Sequence, residues 1–160
     1  MTVVELRPIE DADLDALFDQ MRDPESVHMA AFTSQDPNDR AAFDAHRAKI
    51  RARPDVTERA ITADGRLVGS IASFIIEGET ELTYWIDRPY WGQGIATQAL
   101  TLFLDKVMLD RPLFARAASD NKGSLRVLQK AGFTVTGTEV GYANARATEI
   151  EETLLRLDPR

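Results

Sequence analysis

The chain has 160 residues, of which 44% are hydrophobic, and this size and composition fit one domain with its own core. Its formal charge of −7 argues against a nucleic-acid scaffold, which would carry a basic face, and is compatible with a cationic substrate such as an amine. Zero cysteines exclude disulfides, a thiolate nucleophile and a cysteine metal site, and the two histidines lie in separate segments, so no metal is expected.

No stretch of the chain reads as a targeting or membrane segment. No apolar run approaches about 18 residues, and the N-terminus meets a charge at Glu5 before any secretory pattern could form. The sequence therefore predicts a soluble, cytoplasmic protein with no membrane and no nucleic acid among its partners. Residues 1–160 are expected to form a single domain.

The N-terminal third begins with a strand and a helix. Residues 2–7 alternate in polarity, which predicts a short strand ended by Pro8. A helix with an apolar stripe follows, in which Asp11 or Asp13 can serve as the cap. The Asp-Pro pair at residues 23–24 is expected to break this helix.

Residues 25–37 have no clean hydrophobic period. The favoured interpretation is a connector between two helices, with its apolar residues packed on the core. Asn38 can cap the second of these helices, which stops before Pro54.

Three strands are expected next. Residues 56–62 lead into Ala63-Asp64-Gly65-Arg66, whose Asp-Gly pair is a strong hairpin signal. Residues 67–76 are apolar on both faces, which is typical of an interior strand. Gly78 then turns the chain into a third strand over residues 80–87.

A glycine turn follows the third strand and opens a helix. Gly92 and Gly94 lie at this junction, and apolar residues then recur at helical spacing to about residue 109. The glycines let the backbone approach a ligand, and the free amides of the first helical turn suit a phosphate or pyrophosphate. The pattern predicts an anion cradle, with a simple turn as the alternative.

Two common phosphate-binding motifs do not fit this junction. A P-loop requires Lys and then Ser or Thr after its last glycine, where this chain has Ile95-Ala96. A dinucleotide fingerprint requires Gly or Ala where Thr97 stands, and it belongs to a first βα unit, whereas this junction begins beyond mid-chain.

A second motif occupies residues 119–133. Asn121 is placed to cap a helix that buries Leu128, and Gly132 ends that helix. The chain then indicates an antiparallel meander followed by a crossover to a parallel neighbour. The remaining strands are expected over residues 113–118, 134–142 and 147–157.

These two motifs together resemble one known family. Trp91-Gly92-Gln93-Gly94-Ile95-Ala96 is similar to the pyrophosphate loop Gln/Arg-x-x-Gly-x-Gly/Ala of the GNAT N-acetyltransferase superfamily, with Trp91 replacing the usual first residue. With Tyr84-Trp85-Ile86 before it, the run looks like the RimJ/RimL-like branch of ribosomal-protein alanine N-acetyltransferases. Residues 121–133 resemble the superfamily's fourth-helix segment, Asn-x-x-Ser-x-x-x-Leu-x-Lys-x-Gly-Phe. Two motifs in the right order carry more weight than either alone.

The resemblance implies an α+β fold: three α/β/α layers around a mixed, centrally splayed sheet of about seven strands, with about four helices. It also implies acetyl-CoA as cosubstrate, with the pantetheine arm between the strands at residues 82–86 and 113–118. A backbone amide beside the thioester would stabilise the developing oxyanion. The implied cofactor-binding residues are Trp85, Ile86, Trp91, Gly92, Gln93, Gly94, Ile95, Ala96, Thr97, Asn121 and Ser124.

Two residues are candidates for moving protons, again by resemblance. Glu81 matches a glutamate frequent in RimJ/RimL-like sequences and would be the general base; a solvated glutamate at the start of a strand is the alternative. Many relatives carry a tyrosine as the acid where this chain has Leu128, so Ser124 is the candidate acid, with helix capping as its alternative role. Tyr84 and Tyr142 are outside candidates, and Tyr84 is expected in the core.

The leading functional hypothesis is acetyl transfer from acetyl-CoA to a primary amine in a ternary complex, which needs no serine or cysteine nucleophile. The acceptor would be a protein N-terminus or a small-molecule amine. Residues 25–37, which the resemblance places as a lid, and residues 141–146 would line its pocket. The alternatives are a non-catalytic acyl-CoA-binding or regulatory domain and a purely structural domain. A homodimer is suggested by analogy alone.

Overall fold

The computed structural model describes residues 1–159, which form a seven-stranded sheet with strand order β1-β2-β3-β4-β5-β7-β6. The strands are β1 Val4–Arg7, β2 Thr57–Ala63, β3 Arg66–Ile76, β4 Glu79–Ile86, β5 Leu113–Ala118, β6 Thr134–Ala143 and β7 Thr148–Leu157. The helices are α1 Leu14–Met21, α2 Pro24–Ala30, α3 Arg40–Ala52, α4 Ile95–Leu102 and α5 Lys122–Lys130. Over the described residues, none of these helices has the length and apolar character needed to span a bilayer.

The sheet consists of two antiparallel halves. Strands β1 to β4 form an antiparallel meander, and β5, β7 and β6 form a second antiparallel unit. The halves meet in parallel between β4 and β5, where the register contains one pair, Glu81 with Phe114. Because β4 continues to Ile86 and β5 to Ala118 without further pairing, the sheet opens beyond Glu81. The predicted mixed, splayed sheet and the α+β class are confirmed.

Helices cover both faces of the sheet. On one face, Ile71, Leu82 and Ile86 of the strands are buried in a core that also contains Leu100 and Phe103. Helix α5 contributes Leu128, which is 2% exposed, to the same core. On the other face α1 and α3 are joined by an edge-to-face contact between Phe18 and Phe43. The α4 and α5 face and the α1 to α3 face thus make the outer layers of a three-layer fold.

Three details of the helices differ from the sequence prediction. Residues Asp23 and Pro24 begin α2 instead of only ending α1: the Asp23 side chain accepts from the Ser26 amide at 3.0 Å, and Pro24 occupies the first helical position. Asp39, not Asn38, caps α3 by accepting from the Ala42 amide at 3.0 Å. The helix from Ile95 continues after Leu102 as a π-helical turn, Phe103–Val107, and does not reach residue 109.

Asp13 ties the first strand to the first helix. Its carboxylate accepts from the two terminal nitrogens of Arg7 at 2.8 and 2.9 Å and from the Glu10 amide at 2.8 Å. Asp13 is 7% exposed and lies in the short 3-10 turn Asp11–Asp13 that precedes α1. The bonds from Arg7 hold the pKa of Asp13 below its usual range, and the Glu10 amide adds to this effect.

The Asp13→Asn variant should lose about 2 kcal/mol of unfolding free energy at pH 7, since charge-assisted bonds to a buried carboxylate are lost. A lowered folded-state pKa stabilises above the unfolded value of about 3.9, and this contribution disappears as pH falls through the folded value. Urea unfolding at pH 7 and near pH 3 should therefore show the difference between variant and parent shrinking. Asp11→Asn is the control, because the Arg51–Asp11 pair is exposed and should contribute at most about 0.5 kcal/mol. A loss that stays constant with pH would assign the effect to packing.

Candidate functional site

The opening between β4 and β5 presents unpaired backbone groups. The Asp87 amide donates to the Val68 carbonyl at 2.7 Å, so this peptide group points toward β3. Backbone groups alternate along an antiparallel ladder, and β3 pairs with β4 without a register shift, so the amides of Tyr84 and Ile86 point toward β5. Since β5 has already diverged at this point, these amides face the opening. An extended ligand chain could hydrogen-bond there as a strand would.

A glycine turn connects β4 to α4. Gly92 and Gly94 have φ values of 74° and 78°, in the left-handed region that disfavours other residues. A Cβ at either position would meet nothing within 4 Å, so the glycines are required by the backbone conformation and not by lack of room. Gly94 caps α4, and its carbonyl accepts the first helical bond, from the Gln98 amide at 3.1 Å.

The amides of residues 92–97 donate no backbone hydrogen bond to any described residue. They lie in the glycine turn and in the first turn of α4, at the positive end of the helix dipole. Unpaired amides at a helix N-terminus are suited to a phosphate or diphosphate. These amides are therefore available to an anion, and the anion cradle stays a prediction.

Two side chains of the loop bond to nearby backbone carbonyls. The Trp91 indole nitrogen donates to the Ile86 carbonyl at 2.8 Å, and the Gln93 side-chain amide donates to the Pro89 carbonyl at 3.1 Å. Trp91 nevertheless keeps 41% of its surface exposed. Trp91 thus fixes the loop to the end of β4, so the cradle lies next to the strand end that borders the opening.

Arg88 connects this loop to α2. Its guanidinium donates to both carboxylate oxygens of Asp23, at 2.9 and 3.1 Å, and to Glu25 at 2.8 Å. The Ser26 amide and, after it, Arg88 hold the pKa of Asp23 below its usual range. These bonds hold the start of α2 against Arg88, which lies between the end of β4 and the glycine turn.

Two hydroxyl groups meet on the α4 and α5 face of the opening. The Tyr84 phenol and the Ser124 hydroxyl share a hydrogen bond of 2.9 Å. The Asn121 side chain caps α5 by accepting from the Ser124 amide at 3.3 Å, and its nitrogen donates to the Met29 carbonyl at 3.5 Å. Burial raises the pKa of Tyr84, and the bond with Ser124 offsets part of that rise.

Glu81 lies on the opposite face of β4, in a cluster around Arg116. The Arg116 guanidinium contacts Glu81 at 2.8 Å, Glu152 at 3.2 Å and Glu139 at 3.6 Å. The Glu81 side chain is 12% exposed, and one of its oxygens, Oε1, receives the Arg116 bond. Burial raises the pKa of Glu152, and Arg116 offsets part of that rise. Trp85 shares this face, and its indole donates to the Gln20 carbonyl at 3.2 Å.

The segments expected to line the acceptor pocket are brought together. The Ala145 amide donates to the Ala31 carbonyl at 3.1 Å, and the Asn144 side chain donates to the Thr33 carbonyl at 2.7 Å. Arg146 donates to the His28 carbonyl at 2.7 Å and to Asp120 at 2.7 Å. The β6–β7 turn thus holds the end of α2 beside the start of α5. Residues 25–37 contain a helix and a tight turn at Ala31, whose φ of 66° is strained for alanine.

Sequence reasoning gave Tyr84 only as an outside candidate and missed Arg116. Tyr84 was expected in the core, and its ring does pack against the core, but its hydroxyl reaches Ser124. Arg116 was not singled out, although an arginine inside the otherwise apolar strand Leu113–Ala118 signals a carboxylate partner. No three potential metal ligands are grouped in the part of the chain that the structure describes.

Comparisons with known proteins agree on one family. A family model described as an acetyltransferase (GNAT) domain matches residues 4–134. Over 82 residues the chain is 37% identical to the probable N-acetyltransferase YjcK of Bacillus subtilis (strain 168). That match spans 47% of this chain and 45% of the relative, so the chain covers less than half of that protein's length.

Solved structures share the fold over nearly the whole chain. RimJ of Mycobacterium smegmatis, in complex with CoA-disulfide, has a TM-score of 0.81 at 24% identity, covering 98% of this chain and 82% of that one. RimL, a ribosomal L7/L12 alpha-N-protein acetyltransferase in complex with coenzyme A, has a TM-score of 0.76 at 19% identity, covering 98% and 94%. At these identities the likeness concerns the fold.

Proposed function

The chain belongs to the GNAT acetyltransferase domain family, and from this premise we propose that it moves the acetyl group of acetyl-CoA directly to a primary amine in a ternary complex. Family membership makes it an acyltransferase, and the structures of RimJ and RimL that share its fold contain CoA. The observation that carries the proposal is that the amide cradle at residues 92–97 lies next to the strand end that borders the opening between β4 and β5. Residues 1–160 are proposed to act as one acetyl-CoA-dependent domain.

Each part of acetyl-CoA has a complementary part of the site. The diphosphate is proposed to bind the amides of residues 92–97, because they are unpaired and lie at the positive end of α4. The pantetheine arm is proposed to enter the opening and pair with the backbone of Tyr84 and Ile86, beside Trp85. Asn121 and Ser124, at the start of α5, border the same opening and are proposed to contact the arm.

The chemistry requires orientation, one base and one acid. Binding both substrates in one site makes the attack effectively unimolecular. The Ile86 amide is proposed to stabilise negative charge on the thioester oxygen. Glu81 is proposed to take the proton from the acceptor amine: Arg116 holds its Oε1, and Oε2 accepts no hydrogen bond from any described residue.

The acceptor is proposed to approach between the end of α2 and the β6–β7 turn, which lie together beside the start of α5. The Arg116 cluster places three carboxylates around one guanidinium on the Glu81 face, and a cationic amine is attracted to such an excess of negative charge. Both a peptide N-terminus and a small-molecule amine are compatible with these features.

The experiment that tests this function measures thiol release from acetyl-CoA with a panel of amines. The panel should contain peptides with a free N-terminus, a polyamine and an aminoglycoside, with CoA binding measured by calorimetry. We expect CoA to bind and at least one amine to be acetylated. Binding without turnover across the panel would favour an acyl-CoA-binding regulatory domain, and failure to bind CoA would refute the proposed site.

A negative charge in the cradle should have opposite effects on CoA affinity and on the stability of the free protein. Thr97 is the third residue of α4, so Thr97→Glu should stabilise the free protein by about 0.5 kcal/mol through the helix dipole. The same charge should repel the diphosphate and weaken CoA binding at least about tenfold at low ionic strength. Calorimetry and thermal unfolding measure the two effects.

Two variants control for this experiment. Thr97→Gln has the size of the glutamate without its charge, and Thr101→Glu places the charge one turn further along the exposed side of α4. Thr97→Gln should bind CoA within about twofold of the parent protein, because it adds no charge. Thr101→Glu should weaken binding less than Thr97→Glu does, because its charge lies one turn further from the diphosphate. Unchanged affinity in Thr97→Glu would mean that the diphosphate binds elsewhere.

A further inference from the structure

The hydrogen bond between Tyr84 and Ser124 crosses the opening. Tyr84 belongs to β4, on one side of the opening, and Ser124 belongs to the first turn of α5, which follows β5 on the other side. The two hydroxyls lie 2.9 Å apart, and either can be the donor. Both residues are partly buried. A protonated hydroxyl pair is therefore located where the thioester arm is proposed to pass.

Acetyl transfer releases a thiolate, which must gain a proton to leave as a neutral thiol. Glu81 is poorly placed for this role, because residues 81 and 84 point to opposite faces of β4. The other two tyrosines make no hydrogen bond with the Ser124 hydroxyl: Tyr90 lies in the turn before the cradle, and Tyr142 lies on β6 and is 61% exposed. Tyr84 is the phenol that contacts the opening.

We propose that Tyr84 is the source of the proton that the departing CoA thiolate receives, and that Ser124 passes this proton from the phenol to the sulfur. The inference rests on the proposed acetyl transfer. Serine alone is an inefficient acid, because donation leaves an alkoxide. A thiol has a pKa of about 8.5 and a phenol of about 10, so a phenol behind the serine makes the transfer far less unfavourable. Burial raises the pKa of Tyr84, so the phenol is neutral before the reaction and is a weaker acid than a solvated tyrosine. The contact with Ser124, and not this shift, is the evidence for the route.

The step balances in protons and electrons. As the carbon–sulfur bond breaks, sulfur keeps the electron pair and takes the proton of the Ser124 hydroxyl. Ser124 takes the phenol proton in the same step, so serine ends neutral and Tyr84 ends as a phenolate. Before the attack, the acceptor ammonium loses one proton to Glu81, and the nitrogen of the tetrahedral adduct loses its second proton to water. Water then returns a proton to Tyr84 and removes one from Glu81, so the products are one amide, one thiol and one proton released to solution.

The test compares single-turnover rates and CoA affinity in four variants: Tyr84→Phe, Ser124→Ala, the double variant, and Tyr84→3-fluorotyrosine. Tyr84→Phe keeps the ring that packs on the core and should lower the rate about a hundredfold, with CoA affinity within about twofold of the parent. The double variant should be no slower than the slower single variant, because the two hydroxyls act as a unit. The fluorinated phenol is more acidic at nearly the same size and should keep at least the parent rate.

Tyr90→Phe is the control and should match the parent, since the Tyr90 phenol has no hydrogen bond to a described residue.

Three outcomes would overturn the inference. Tyr84→Phe could retain the parent rate, the double variant could lose the product of the two single losses, or the fluorinated variant could fall as far as the phenylalanine variant. Each of these leaves acetyl transfer by the parent protein intact, so the proposed function survives. Absence of transfer by the parent protein with every amine would instead refute the proposed function, and the proton route would fall with it.

Discussion

A Gly69→Ala variant should lose about 3 kcal/mol or more of unfolding free energy and bind CoA poorly. A Cβ on Gly69 would lie 2.0 Å from the Trp85 carbonyl oxygen and 3.2 Å from the Ile86 Cα. Both are backbone atoms, so relief requires moving the end of β4 away from β3. Because that end of β4 borders the opening and receives the Trp91 bond, the cost appears in both stability and binding. Chemical denaturation and CoA calorimetry measure the two losses.

Gly137→Ala is the matched control for this prediction. Gly137 also lies in a strand, but a Cβ there would meet nothing within 4 Å, and its φ is not in the left-handed region. Alanine at this position should be neutral or slightly stabilising, because it reduces the entropy of the unfolded chain. Equal stability of Gly69→Ala and Gly137→Ala would contradict the prediction, because it would mean that β4 can move away from β3 at little cost in free energy.

The parts of the fold that depend on local chemistry could be predicted from sequence. The hairpin between β2 and β3 forms at Asp64 and Gly65, whose φ values of 50° and 80° are what an Asp-Gly pair favours. Likewise Asn121 caps α5 and Gly132 follows its end with φ of 106°. In each case a few adjacent residues determine the backbone, so no tertiary information is needed.

The arrangement around the opening could not be derived in the same way. A period of two places Tyr84 on the face of Leu82 and Ile86, as the structure does, but it does not say how far the phenol reaches. The bond to Ser124 joins residues 40 positions apart and depends on where α5 begins relative to the splayed strands. Family resemblance implied the splay. The distance between the two hydroxyls required the structure.

The missed helix α2 has a local explanation. An Asp-Pro pair can end one helix or begin the next, since aspartate caps an N-terminus and proline fits the first position. Here it begins α2, and the second partner of Asp23 is Arg88, far along the chain. This ion pair is a tertiary contact that holds Asp23 at the start of α2. Hydrophobic periodicity does not detect a contact of this kind.

The alternation of β4 divides the proposed reaction between two faces. Tyr84 meets Ser124 on the face of α4 and α5, and Glu81 meets Arg116 on the other face. Under the proposal, Glu81 removes a proton from the amine and the Tyr84–Ser124 pair delivers a proton to the thiolate. The two groups lie on opposite faces of β4, so they do not exchange protons with each other. A substitution on one face should leave the other transfer intact, and this separation makes the effect of Glu81 measurable by itself.

Replacing Glu81 with glutamine should lower kcat about a hundredfold near pH 7, with CoA affinity unchanged, if Glu81 accepts the amine proton. The defect should shrink as the pH rises above about 8, the pKa of a peptide α-amine, because the acceptor is then already deprotonated. Steady-state rates of peptide acetylation from pH 6.5 to 9, at saturating acetyl-CoA, measure this dependence.

Glu139→Gln separates proton transfer from the electrostatics of the cluster. Glu139 also contacts Arg116, at 3.6 Å, but its side chain is 58% exposed, so its loss removes a similar charge from the same guanidinium without removing the proposed base. This variant should stay within about twofold of the parent, since exposed ion pairs contribute little. Equal defects in the two variants would indicate that the negative charge of the cluster matters and that Glu81 is not the base. A Glu81→Gln defect that persists at pH 9 would contradict removal of the ammonium proton by Glu81, because at that pH the peptide amine is already neutral.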